Sequence, residues 1–144
     1  MSLYTADSVL SKLVNILMRD GKKSTAQRIV DEAFWILKRE YQVPDPASYA
    51  KEAIEQAKPV VELTRYRLSG RNLQVPSPLM PHRATALALR AIRDAVRSER
   101  RERGAAARLA AELVDIHRQQ GVAWKRRQDL HKMAEANKMF THLR

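Results

Sequence analysis

The most regular chemical pattern in this chain is a stripe of arginines between residues 82 and 102. At 100° per residue, one side of an α-helix collects the basic residues, while Ala84, Leu87, Ala88, Ile92 and Val96 occupy the other. The stripe consists of Arg83, Arg90, Arg93, Arg97 and Arg100. A guanidinium group is a planar fork that binds phosphate oxygens in bidentate fashion. Such a stripe is often only a solvated helix face. Here a single acid, Asp94, lies near its centre, so the arginines are expected to lack partners, which favours a phosphate ligand.

A second basic cluster lies in the short segment Asp20-Gly21-Lys22-Lys23-Ser24, which has the composition of a tight turn between helices. Backbone N–H groups at a helix start, together with the ammonium groups of Lys22 and Lys23, would form a phosphate site. The alternative is an ordinary loop that its lysines keep soluble. It is not a nucleotide-binding P-loop, because the spaced glycine and the preceding buried strand are missing.

Two further clusters follow. Residues 60–75 interleave β-branched, aromatic and charged residues and predict a two-stranded hairpin with its tip at Ser69-Gly70 and with Arg65, Arg67 and Arg71 exposed. An isolated hairpin is marginal in water, so this arm is expected to be mobile without a partner. The last cluster belongs to a C-terminal helix that begins with Lys125-Arg126-Arg127 and continues through His131 and Lys132 to Asn137 and Lys138.

Two residues of that C-terminal segment allow two interpretations each. Asn137 is either a hydrogen-bonded amide in the core or an RNA contact, since it lies on the packed side of the helix with Leu130, Met133 and Phe140. Trp124 either stacks on a base or wedges a helix junction.

The charge is distributed unevenly along the chain. Residues 1–57 hold 8 basic and 8 acidic residues, whereas residues 58–144 hold 19 and 8, which accounts for the whole net charge of +11. An asymmetric basic protein with a pI of about 10.4 is expected to bind a polyanion, with nucleic acid ahead of an anionic membrane. No apolar run approaches the ~20 residues of a membrane-spanning helix, and Met1–Asp7 resembles neither a signal nor a transit peptide.

Composition also ranks the modes of binding. Only 6% of the residues are aromatic, and Phe34, Trp35 and Phe140 are expected on or near core stripes, so stacking on single strands is disfavoured. Basic faces on rigid helices suit structured RNA. A DNA-binding helix-turn-helix is the alternative, although its charge would be expected on a single recognition helix.

An enzyme fits the sequence poorly. Cysteine is absent, and the four histidines are scattered without the carboxylate and histidine spacing of a metal site. Asp129 and His131 lie two apart on a helix and therefore point in different directions. The sequence predicts no catalytic residue, no metal and no cofactor.

All of these residues must be positioned by a mainly α-helical single domain of about six helices with a protruding two-stranded β-hairpin arm. We predict a neutral helical part over 1–57, the arm over 58–76 and a basic helical part over 77–144. Helix one carries Leu10, Leu13, Val14 and Leu17 and stops at Gly21, and helix two is capped by Ser24. Helix three begins at Asp45-Pro46, and the last three are expected near 82–102, 105–119 and 125–141.

Three motifs in chain order resemble the family of ribosomal protein seven of the small subunit. They are Val14-Asn15-Ile16-Leu17-Met18 before Gly21-Lys22-Lys23-Ser24, the hairpin exit Gln74-Val75-Pro76, and Lys125-Arg126-Arg127 through His131 to Lys138. The resemblance implies a helical protein that binds the head domain of small-subunit rRNA early in assembly, beside neighbouring ribosomal proteins. Its hairpin would reach the exit-site transfer RNA and messenger RNA, and it would not be a homo-oligomer. The residues that the resemblance and the basic clusters together assign to rRNA are Lys22, Lys23, Arg65, Arg67, Arg71, Arg83, Arg90, Arg97, Lys125, Arg126, Arg127, His131, Lys132, Asn137 and Lys138.

The sequence departs from the family pattern in places. A basic arm before helix one is missing from these residues, and the usual Gly-Gly of the hairpin is Ser69-Gly70, which leaves its turn type open. Residues 74–79 and 129–132 look mitochondrial, which predicts a ribosome of the mitochondrial matrix, with a bacterial cytoplasm or a plastid as the alternative.

Overall fold

The computed structural model describes residues 7–143, in which six α-helices surround one core and a β-hairpin protrudes. The expected mainly α fold with a hairpin arm is confirmed. In chain order the elements are α1 (Ser8–Leu17), α2 (Lys23–Glu40), α3 (Pro46–Ala57), β1 (Val61–Leu68), β2 (Arg71–Pro78), α4 (Pro81–Asp94), a π-helical turn (Ala95–Glu99), α5 (Ala105–His117), α6 (Val122–Ala136) and a C-terminal 3-10 turn (Lys138–Leu143). The expectations for residues 1–6 lie outside the described residues.

Helix α1 begins where the Asp7 carboxylate accepts hydrogen bonds from the backbone N–H groups of Val9 and Leu10, at 3.0 and 3.2 Å. These bonds satisfy two of the N–H groups that a helix start leaves unpaired. The helix then buries the predicted apolar stripe from Leu10 to Leu17, so its face assignment is confirmed.

The start of α2 differs from the prediction. Lys22 occupies the N-cap position and makes no side-chain capping bond, so Ser24 is not the cap but lies inside the first turn. The turn before it is instead formed by backbone geometry, since Asp20 and Gly21 both have positive φ. For α3 the prediction is confirmed, because Asp45 accepts a hydrogen bond from the N–H of Ser48 and Pro46 opens the helix.

The hairpin ends at Pro78, slightly later than predicted, and its two strands pair without a bulge from Leu68 opposite Arg71 to Val61 opposite Pro78. Ser69 and Gly70 both have positive φ, at 50° and 80°, which is the requirement of a type I′ turn. Both strands of a two-stranded sheet are edges, so the prolines of β2 cost fewer ladder hydrogen bonds than they would in a central strand. The base of the arm is not free, since Val75 is fully buried.

The last helices are shorter than predicted. Helix α4 ends at Asp94 and passes into the π-helical turn, so the expected single helix over 82–102 is wrong beyond Glu99. Gly104 and Gly121, both with positive φ, precede α5 and α6. Helix α6 ends at Ala136, and the chain continues as a 3-10 turn that packs against β2.

All six helices contribute to the core, and among the described elements α5 contributes the most residues and contacts α2, α3, α6 and the π-helical turn. Its residues Leu109, Leu113 and Ile116 are fully buried, whereas residues 64–72 at the outer end of the hairpin are exposed. Within residues 7–143, none of the helices has the length and apolar character needed to cross a bilayer.

Candidate nucleic-acid interface

In the fold, some arginines of the α4 stripe form ion pairs within the protein and others do not. Arg83 bonds Glu62 of β1 at 3.2 Å, and Arg93 bonds its neighbour Asp94 at 3.0 Å. The expectation that these arginines lack partners is therefore wrong for part of the stripe, because Glu62 reaches Arg83 from β1 and Asp94 pairs with Arg93 within α4. The Arg90 side chain is exposed, and its guanidinium makes no ion pair or hydrogen bond within the described chain.

Arg100 is a structural residue. Its guanidinium contacts Glu102, Glu112 and Asp115 at 2.6 to 2.8 Å, and Glu112 is fully buried. The other oxygen of Glu112 accepts a hydrogen bond from the N–H of Ala123 at the start of α6. Burial opposes the charge of Arg100, but the hydrogen bonds that the guanidinium donates to these carboxylates outweigh it and raise its pKa. The network ties the end of the π-helical turn to α5 and α6.

Arg97 also makes contacts within the protein instead of extending into solvent with the stripe. One terminal nitrogen of its guanidinium donates to the carbonyl oxygens of Ile16 and Met18, at 3.4 Å each, where α1 ends. A cation at this position complements the partial negative charge of a helix C-terminus. Its Nε atom is buried and has no hydrogen-bond partner.

The fold brings the remaining α4 arginines together with the C-terminal cluster. A cleft of about 390 Å³, the α4–α6 cleft, is lined by side chains of both helices and by the loop after α3. Its cations are Arg90, Arg93, Arg126 and Arg127, around an apolar floor that includes Ala91 and Leu130. Two clusters that lie more than thirty residues apart in sequence therefore form one basic surface.

Arg126 is held in this surface by ion pairs with Asp94, at 2.8 Å, and with Glu99. Hydrogen bonding by Arg126 holds the pKa of Asp94 below its ordinary value, and the same bond raises the pKa of Arg126. The charges of Arg126 and Asp94 offset each other, so Arg90 supplies net positive charge to the cleft.

Arg127 and His131 fasten the root of the hairpin. Arg127 donates to the backbone carbonyl of Lys58 at 3.0 Å, and the N–H of Val60 donates to Nε2 of His131 at 3.1 Å. Burial, with a contribution from the nearby Arg127 charge, lowers the pKa of His131. Trp124 is half-buried beneath Arg127, whose guanidinium lies 4.9 Å from the ring centroid, so the ring packs inside this junction.

On the arm itself, the register separates the predicted arginines. Residues opposite each other share a face, so Arg65 and Arg67 lie with Gln74 and Asn72, whereas Arg71 lies with Leu68 on the other face. All three arginines are exposed and unpaired within the described residues. The second face also exposes Leu68, a large apolar residue near the tip.

Asn137 lies neither in the core nor on the open surface. It follows α6 as its C-cap, half-buried, and lines a cleft of about 320 Å³ with Arg65, Gln74 and Phe140. The structure thus brings Asn137 to the hairpin, whose polar face it extends. Met133 was predicted on the packed side of α6, but it is 46% exposed, so that part of the prediction is wrong.

The lysines of the predicted site are exposed in two groups. Lys22 and Lys23 lie at the start of α2, and Lys125, Lys132 and Lys138 lie along α6 and just beyond it. Only Lys138 has an ion-pair partner among these five, Glu135 at 2.8 Å.

Sequence reasoning did not single out Arg19 and Arg108, which lie beside Arg97 in the fold. It also placed Trp35 near the core, whereas that ring is 58% exposed beneath the guanidinium of Arg39. Within residues 7–143 no cluster of three or more histidine, cysteine or acidic residues could hold a metal ion.

A helical domain with a basic surface on two helices, a basic turn and a protruding basic hairpin has the architecture of a structured-RNA-binding protein. The family model described as Ribosomal protein S7p/S5e matches residues 2–138. The chain belongs to that family.

Among the similar proteins, "Small ribosomal subunit protein uS7" of Psychrobacter sp. is 43% identical over 135 residues, covering 94% of this chain and 85% of that protein. The uS7 protein of Acetivibrio thermocellus is 46% identical over 138 residues, covering 96% and 87%. That of Eikenella corrodens is 45% identical over 135 residues, covering 94% and 85%. All three relatives are bacterial.

Proposed function

We propose that this protein is a structural constituent of the small ribosomal subunit and that it binds rRNA through its basic surface. The observation that carries the proposal is the α4–α6 cleft, where arginines from two helices converge around exposed Arg90. The proposal follows the names of the relatives and the membership of the S7p/S5e family. That membership favours this role over a DNA-binding helix-turn-helix, and the family is not one of enzymes.

The finer proposal concerns the site within the subunit. We assign the protein to the head domain, where it would nucleate assembly beside neighbouring ribosomal proteins and would not form a homo-oligomer. Its hairpin tip, Ser69-Gly70, would lie near the exit-site transfer RNA and the messenger path. The length of the exposed arm supports this assignment, since eight paired residues in each strand carry the tip away from the helices.

The rRNA contacts fall into two kinds. Lys22, Lys23, Arg65, Arg67, Arg71, Arg90, Lys125 and Lys132 are exposed without ion-pair partners among the described residues and would bind phosphates directly. The other predicted residues have contacts within the protein. Arg83, Arg126 and Lys138 are each paired with a carboxylate of the protein and would contribute only part of their charge to RNA binding. Arg97, Arg127, His131 and Asn137 would act indirectly, by holding the elements of the binding surface in place.

The bacterial relatives are consistent with a bacterial cytoplasm, and the mitochondrial matrix stays the prediction of the sequence. Fractionation of the source cells, with the protein followed by mass spectrometry, would separate the two: a mitochondrial protein co-sediments with organellar ribosomes and a bacterial one with the cytoplasmic small subunit.

The proposal is tested by binding to the folded head domain of small-subunit rRNA and to a DNA duplex of equal length across a salt series. We expect RNA binding that keeps a large margin over DNA, with a salt dependence corresponding to about 6 to 10 phosphates. Arg90→Ala should weaken binding, whereas Arg39→Ala, which removes an exposed arginine from the neutral part, should leave it unchanged. Equal affinity for both nucleic acids, lost together as salt rises, would contradict the proposal.

A further inference from the structure

A second cleft lies where the end of α1, the start of α2, the π-helical turn and the start of α5 meet. This α1–α2 cleft has a volume of about 240 Å³. Its lining is mainly apolar and includes Leu17, Met18, Ile29 and Val96. Sites for drug-sized ligands begin at about 300 Å³, so the α1–α2 cleft has room for one small planar group.

Four cations border this apolar lining. They are Arg19, Lys22, Arg97 and Arg108, and none of the described residues that line the cleft is acidic. This differs from the α4–α6 cleft, where Asp94 offsets part of the charge. An anionic ligand would therefore meet uncompensated positive charge at the α1–α2 cleft.

Two of these cations are already fixed by backbone contacts. Arg97 donates to the carbonyl oxygens of Ile16 and Met18, and Arg108 donates to those of Val96 and Glu102. The buried Nε of Arg97 has no partner, which is rare for a buried polar atom. Burial, together with the positive charges of Arg19 and Arg93, lowers the pKa of Arg97. A negative charge at the cleft would offset the repulsion among these cations.

Arg19 and Lys22 are different, because both are exposed at the edge of the cleft and neither side chain has an ion-pair or hydrogen-bond partner in the described chain. They are available to a phosphate that approaches from solvent. An apolar recess beside free cations complements a nucleoside phosphate, whose base is flat and whose phosphate is anionic.

We propose that the α1–α2 cleft receives one unpaired nucleotide of the bound RNA, with its base on the apolar lining and its phosphate on Arg19 and Lys22. RNA presents such nucleotides in loops and bulges, where unstacked bases can be bound individually. This inference rests on the proposed function. It adds a contact with one whole nucleotide to a protein surface that otherwise binds the phosphates of the RNA. It also gives Lys22 a defined partner within the basic turn.

The test uses a substitution that places a bulky side chain in the α1–α2 cleft and leaves every charged residue unchanged. Thr25 is exposed and lines the cleft, so Thr25→Trp should occupy the space of the base, while Gln56→Trp adds a bulky side chain at an exposed, uncharged position of α3, outside the lining and outside the basic clusters. Each variant is first compared with the parent protein by thermal unfolding. Binding to the head-domain rRNA is then followed by affinity and by chemical probing of every nucleotide.

We expect the parent protein and Gln56→Trp to shield the same set of nucleotides, including one unpaired nucleotide at this cleft. Thr25→Trp should lose that single protection, keep the others and bind about tenfold more weakly, equivalent to about 1.4 kcal/mol. If Thr25→Trp, folded normally, keeps every protection and the parent affinity, the inference is wrong while the proposed function stands. If the parent protein itself does not bind the head-domain rRNA, both the inference and the proposed function are wrong.

A free nucleotide could supply the same chemistry, and a separate measurement distinguishes it. Adenosine 5′-monophosphate is titrated into the protein alone while the methyl signals of Ile29 and Val96 are observed by NMR. Millimolar or weaker binding is expected, because one nucleotide without its RNA has few contacts. Saturation at micromolar concentration would reassign the cleft to a free nucleotide and contradict the RNA proposal.

Discussion

The hairpin tip and the junction between α4 and α5 are both rich in arginine, yet the fold uses their arginines in opposite ways. At the tip, Arg65, Arg67 and Arg71 extend into solvent without acidic partners in the described structure. At the junction, Arg97 and Arg100 bond backbone carbonyls and carboxylates, and Glu112 is buried among them. The difference shows that arginine content marks a basic protein but does not tell which arginines are available to a ligand.

The largest effect is expected at the junction. Glu112→Leu removes the buried carboxylate that pairs with Arg100 and accepts the N–H of Ala123. Arg100 keeps Glu102 and Asp115, but it loses its buried partner and the N–H of Ala123 loses its acceptor, so the free energy of unfolding should fall by about 3 kcal/mol. Urea unfolding measures this loss, with Arg101→Ala, an exposed neighbour, as the control. A loss below about 1 kcal/mol would contradict the view that the arginines of the junction stabilise the fold while those of the tip do not.

The next effect belongs to the tip. Replacing Arg65, Arg67 and Arg71 together by alanine should leave the free energy of unfolding almost unchanged, because none of the three has a partner in the protein. The salt dependence of rRNA binding should fall by about 2 to 3 in slope, near 0.7 to 0.9 for each lost phosphate contact. Filter binding at several salt concentrations measures it. An unchanged slope would show that the arm lies away from RNA.

Hydrogen exchange sharpens the comparison within the arm. The sequence predicts an unprotected segment over 60–75, whereas the structure buries Val75 and bonds the N–H of Val60 to His131. We expect residues near the tip to exchange fastest in the free protein and amides near the root to be slower. Exchange measured by NMR on the free protein tests this. Strong protection at the tip would show that the arm is ordered without RNA.

The smallest effect concerns His131 at the root. Its pKa is lowered from 6.5 in the folded protein, so the unfolded chain binds the proton more tightly. Its contribution to stability is therefore present above about pH 6.5 and decreases as the pH falls below that value. Unfolding measured from pH 7.5 to 5.5 should show a shallower loss for His131→Gln, which keeps an acceptor but does not titrate. Identical pH profiles would show that the bond to Val60 does not depend on the protonation state.

The helices and the hairpin could be predicted because their signals are local. The stripe from Leu10 to Leu17, the Asp45-Pro46 start and the Ser69-Gly70 turn each act within a few residues. The cap of α2 was missed because a positive-φ turn at Asp20 and Gly21 formed the helix start without a side-chain bond. The end of α4 was missed because apolar periodicity continues into the π-helical turn, where Ala95 and Val96 remain buried.

The sequence predicted which basic residues could belong to the candidate site, but it did not predict which of them the fold brings together. The asymmetry of charge along the chain, the basic turn and the arginine stripe are properties of the sequence, because charge and helical period require no tertiary contact. Which arginines pair was decided by the fold, since Glu62, Glu112 and Asp94 reach their partners across distances that only chain folding closes. The two clefts likewise exist only in three dimensions, because each gathers side chains from separate elements around a space that no single segment defines.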